Sequence, residues 1–90
     1  MPINIYKMNE ARDKIAWLGD DVWDLPSQIP LLEDWLKKHE TLIPPGEYVA
    51  DVGFQVRKDA SAGGSVVTKE MMRIMSFLGI ELYLSEYQED

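Results

Sequence analysis

Three short stretches of the chain bring together residue types that could do chemistry. The first is Gly63-Gly64-Ser65-Val66-Val67-Thr68-Lys69, which lies between an alternating run and a helix-like segment. A strand, a glycine turn and a helix in that order build many phosphate-binding and nucleophile-bearing loops. A P-loop requires Gly, four residues and then Gly-Lys-Ser/Thr, so that backbone amides and the lysine converge on phosphate. Here Lys69 falls well past the glycines, on the surface of the following helix. A nucleophile elbow requires Gly-x-Ser-x-Gly and a histidine as base. Neither Ser61 nor Ser65 is so framed, and the chain has a single histidine, His39. The loop is therefore expected to be structural, with glycines that admit positive φ between a strand and a helix.

The second stretch is His39-Glu40. A His-Glu-x-x-His zinc site needs a second histidine four residues on, and "TLIPP" does not supply one. A packing role is expected for this imidazole. The third is Asp20-Asp21-Val22-Trp23-Asp24, which shares its acid spacing with the metal-diphosphate motif of prenyl-transferring enzymes. Those enzymes need a large all-helical cavity that 90 mixed residues do not build, and no EF-hand spacing follows the acids. No catalytic residue, metal site or cofactor is assigned, and a non-enzymatic protein is expected.

The charge pattern says more. The formal net charge is −7. Between Leu18 and Leu36 stand Asp20, Asp21, Asp24, Glu33 and Asp34 with no base, and from Ile74 onward Glu81, Glu86, Glu89 and Asp90, again with no base. Such a field repels phosphate backbones, so no direct binding to nucleic acid is expected; its complement is a basic protein partner. Cysteine is absent, which excludes disulfide scaffolds, thiolate zinc sites and thiol catalysis together. The N-terminal residues lack a basic segment followed by an apolar one, and uninterrupted apolar runs are only a few residues long. A cytoplasmic protein with no membrane attachment is expected.

These residues must be positioned by one domain spanning 1–90. The apolar fraction of 46% is that of a chain able to fold on a core of its own. Residues 48–56 alternate, with Tyr48, Ala50, Val52, Phe54 and Val56 on one side, which is the period of a half-buried strand. Residues 80–87 form a second strand, with Ile80, Leu82 and Leu84 on one side and Glu81, Tyr83 and Ser85 on the other. Between them Thr68 and Gly79 suit the cap positions of a helix whose stripe is Met71, Ile74, Met75 and Leu78. An earlier helix over 30–42 has Pro30 in its first turn and Leu32, Trp35, Leu36 and His39 along one face. Both helices can cover the same face of one sheet, where Phe54, Met75 and Leu82 are expected to meet. Ile3 and Ile5 suggest a strand and "VWDL" another. Residues 9–19 read either as a capped helix or as a linker running into a strand at 15–18, and the helix is favoured because Glu, Ala, Arg and Lys fill its first turns.

From Trp23 onward the order of features resembles an uncharacterised bacterial family known as domain of unknown function 4279. The resemblance rests on "VWDLPSQIPLLEDWLKKHETLIPP", "YVADVGFQV" and "GGSVVTKEMMRIMSFLGIELYLSEY", and covers residues 23–87. It implies a compact α+β domain, a mainly antiparallel sheet with two or three helices packed on one face, and it brings no activity or catalytic residue with it.

The functional expectation is a small acidic protein-binding module, of the kind that neutralises a basic partner as inhibitors and immunity-type proteins do. Its binding surface is expected at Asp20, Asp21, Trp23 and Asp24 and at Glu81, Tyr83, Glu86 and Tyr87, where aromatic anchors stand among acids. A homodimeric accessory domain joined through the last strand is the alternative, and a small-molecule binder the third reading.

Overall fold

The computed structural model describes residues 2–56 and 64–88. Four strands and two helices follow one another as β1 (Ile3–Lys7), β2 (Lys14–Leu18), α1 (Leu25–His39), β3 (Tyr48–Gln55), α2 (Lys69–Leu78) and β4 (Ile80–Tyr87). The sheet order is β2-β1-β3-β4. β1 pairs antiparallel with β2 and with β3, whereas β3 and β4 run parallel. The parallel pair demands a crossover, and α2 provides it. The result is a small α+β domain with a mixed, mainly antiparallel sheet.

The alternation that marks β3 also sorts the faces. Ile3, Ile5, Tyr48, Ala50, Val52 and Ile80 join Leu32, Leu36, Met71, Ile74 and Leu78 in a single core, so both helices lie against one side of the sheet. Leu82 packs against this core while partly buried. Phe54 is only half-buried, because it stands near the end of β3 opposite the charged Glu86. Met75 belongs to this core and Leu82 packs against it, whereas Phe54 does neither, so the expected meeting of the three is corrected at Phe54.

Three local expectations are corrected. No helix occupies 9–19: the chain turns at Asn9 to Arg12, with the Arg12 N–H donating to the Asn9 carbonyl at 3.1 Å, and returns as β2. The turn holds because the Asn9 amide donates to Asp13 (3.1 Å) while its carbonyl oxygen accepts from the Asp13 N–H (3.3 Å). Residues 22–25 form no strand, and α1 begins before Pro30. Asp24 is its N-cap, accepting from the Ser27 N–H at 3.1 Å and from the Ser27 hydroxyl, and Pro26 stands in the first turn. Pro30 lies inside the helix on its exposed side.

α2 is held at both ends. The Thr68 hydroxyl oxygen accepts from the Met71 N–H at 3.1 Å and donates to Glu33 at 2.7 Å, which fastens the start of α2 to α1. Gly79 closes the helix at φ 82°, its N–H donating to the Met75 carbonyl. A Cβ on Gly79 would stand 1.8 Å from the Gly46 carbonyl oxygen, so no other residue fits where α2 passes into β4. Arg73 donates to Glu40 at 2.7 Å and to Glu70, an exposed network between the helices. Among the described residues no helix is long and apolar enough to cross a membrane.

Candidate functional site

The side of the sheet away from the helices is uncovered. The strand register places Asn4 beside Trp17 and Asp51, Asp51 beside Tyr83, Gly53 beside Ser85, and Gln55 beside Tyr87 on that side. Trp17, Tyr83 and Tyr87 are each roughly half exposed, at 51%, 43% and 52%. These three rings share one face, whereas Phe77 of α2 is exposed apart from them.

Two segments distant in sequence meet at one end of this face. Trp23 lies edge-on to Tyr87 with ring centroids 5.8 Å apart, and its carbonyl accepts from the Gln55 N–H at 2.8 Å. Tyr87 lies across Gly53, where a Cβ would come within 2.7 Å of the tyrosine ring. Underneath, the wholly buried Gln28 donates to the carbonyls of Val22 and Gly53, each at 2.7 Å. One amide on α1 thereby fixes the segment before the helix to the end of β3. Asp20 to Asp24 and the C-terminal end of β4 adjoin for this reason.

The eight expected site residues divide on inspection. Asp20 and Asp21 are exposed in the turn after β2, and Asp21 sits there at φ 60°, a conformation that aspartate tolerates better than most residues. Trp23 and Tyr87 form the ring pair. Glu81 and Tyr83 lie on the open face, while Glu86 lies toward the helix side, opposite Phe54. Asp24 is committed to capping α1, so its carboxylate is a structural group first.

Sequence reasoning missed Trp17 and Tyr6. Trp17 reaches the open face because β2 is a strand, and Lys14 stands over its ring at 4.2 Å from the centroid. Tyr6, with Met8, Arg12, Val49 and Tyr83, lines a shallow depression of about 360 Å3 beside the same face. Val49 lies at its floor, only 2% exposed although no helix covers it. No clean period-2 signal marks residues 14–18, because a bulge between Lys14 and Ala16 breaks the alternation.

The remaining chemical candidates are accounted for by packing or fall outside the description. His39 stacks on Trp35 at 4.4 Å between centroids, and its Nδ1 lies 2.8 Å from the Trp35 carbonyl, so that nitrogen carries the proton. Ser61 and Gly63 lie outside the described residues. Gly64 has φ 156°, and nothing would lie within 4 Å of a Cβ there. Among the described residues no three histidines or acids converge as a metal site would require. A second depression, about 540 Å3, is lined mainly by Leu42, Ile43, Pro44, Pro45 and Phe77, with Glu40 and Thr41 also on its wall.

Fold and surface define a small α+β domain with one helix-covered and one open sheet face. Comparison with protein-family models, with curated proteins and with solved structures finds no match.

Proposed function

We propose that the protein is a small acidic, non-enzymatic binding module that neutralises a basic protein partner, as an inhibitor or immunity-type protein would. The observation that carries this reading is the Trp23–Tyr87 contact, which joins the two stretches of chain that contain acids and no base. Charge there draws a cationic partner from a distance, and the rings offer the desolvated centre that rim charges do not. Nucleic acid and membrane are not partners in this reading, and no cofactor takes part. The resemblance over residues 23–87 adds no activity to it.

Capture of partners by the native protein, followed by charge reversal, tests the proposal. Paired substitutions D20K/D21K and E81K/E86K should each weaken binding and flatten its salt dependence, whereas Trp23→Ala should cost about 2 kcal/mol of binding. Asp24 is left unchanged in this test because it caps α1. Binding and salt dependence that survive both reversals would place the surface elsewhere.

A homodimer through β4 is the second reading, favoured by one observation: β4 has no neighbour on its outer side among the described residues. Sedimentation over a hundredfold concentration range separates the two, since only the homodimer gains mass without a partner.

A further inference from the structure

We infer that the basic partner docks by adding a strand to the free edge of β4, and that the side chains of β4 dictate the pattern that strand must carry. The inference rests on the reading above and names the mode of binding. β4 is eight residues long and keeps unbroken register with β3 from Tyr48↔Ile80 to Gln55↔Tyr87. It contains no proline, glycine, lysine or arginine and no bulge, so of the devices that usually close an edge to pairing only the acids Glu81 and Glu86 are present. A row of backbone donors and acceptors with that regularity is the surface that strand addition uses.

Charge selects the occupant. Glu81 stands on the open face and Glu86 on the other, and the sequence has no base from Ile74 onward. A second copy would bring the same acids to the seam and nothing to offset them. An incoming strand that carries lysine or arginine offsets them on both faces. On the open face it needs a cation beside Glu81, where an arginine would also lie over Tyr83. On the helix side it needs apolar residues against Leu82 and Leu84, of which Leu84 is 54% exposed and has no helix over it. The partner segment is therefore an extended one that alternates bases on the Glu81 face with apolar residues on the Leu82 and Leu84 face, and breaks that alternation with one further base beside Glu86.

The test uses the full chain, a synthetic peptide as long as β4 that alternates Lys and Val but carries a further Lys at the end that meets Glu86, the same composition in block order, and the alternating peptide N-methylated along one edge. Amide hydrogen exchange of β4 and titration by chemical shift are the readouts. The alternating peptide should bind, slow exchange at β4 amides that point away from β3, and bind at least about tenfold more tightly than either control. Leu84→Lys and the milder Leu84→Thr should each weaken it without lowering the melting temperature. Equal binding of alternating and block peptides, with β4 amides unprotected, would overturn strand addition while leaving the acidic surface in place. No shift at either acidic segment with any basic peptide or captured partner would overturn both. Protection of β4 that rises with protein concentration alone would overturn the inference in favour of a second copy.

Discussion

β2 and β4 close the same sheet on opposite sides, and they do so by different means. β2 has five residues, a register break where Ile5 pairs with Ala16 and Tyr6 with Lys14, and an ammonium placed over its exposed tryptophan. Each of these discourages another strand from pairing: a short ladder offers few bonds, a bulge turns the edge aside, and a lysine resists burial. β4 has none of the three. Its only guard is Glu81 and Glu86, and that guard is selective. Two like-charged copies repel each other across it, whereas a cationic strand is drawn in. The difference teaches that steric and backbone devices close an edge to every comer, while charge closes it to some and opens it to others.

Removing the junction that launches β4 should have the largest effect. Gly79→Ala forces a Cβ against the backbone carbonyl of Gly46 and a side chain into left-handed φ, so a loss of about 3 kcal/mol or more is expected in urea unfolding. Gly53→Ala comes next. The nearest obstacle there is the ring of Tyr87, which can swing, with the Pro2 carbonyl oxygen also close at 3.3 Å, and a loss of about 1–2 kcal/mol should accompany a change in the near-ultraviolet circular dichroism of the Trp23–Tyr87 pair. The guards themselves can then be exchanged. Lys14→Val uncovers Trp17 and should raise the sedimenting mass at high concentration, with stability altered by no more than about 0.5 kcal/mol. A monomer at every concentration would show that length and the bulge suffice to protect β2.

The smallest effect concerns the helix that carries β4. Hydrogen bonding to Arg73 holds the Glu70 carboxyl below its usual range, with the charge of Arg73 adding to this. A depressed carboxyl contributes stability above its unfolded titration range and loses it as pH falls through its folded one. Glu70→Gln should slightly flatten the fall in melting temperature between about pH 7 and about pH 3, by a margin that only side-by-side scans resolve, because the pair is solvated.

β3, α2 and β4 were legible because each carries its signal locally: apolar residues at every second position in the strands, and Thr68 and Gly79 at the helix ends. β2 was not. Its bulge breaks the period of two, Ala16 is too small to mark a buried face, and residues 10–14 are good helix formers whose preference the Asn9 turn overrides. Pro30 misled in another way, since proline suits a first turn, yet Asp24 and Pro26 had already supplied the cap and the turn. The two acidic segments could be read from the sequence, but their proximity could not. It depends on Gln28 bonding to two carbonyls and on Gly53 leaving room for Tyr87, contacts that leave no periodic trace.

The pairing of β1 with β3 has a consequence for how the chain reaches this structure. On one side of that seam the β1–β2 hairpin is a local element able to close within microseconds; on the other, β3, α2 and β4 form a unit built from neighbours in sequence. Among the strand pairings only the seam joins residues as distant as Ile3 and Val52, and both are fully buried. Of the sheet's pairings this one carries the largest loop-closure cost, so substitutions where Ile3 and Ile5 meet Ala50 and Val52 should slow refolding in stopped-flow measurements, whereas changes at either edge of the sheet should act mainly on the rate of unfolding.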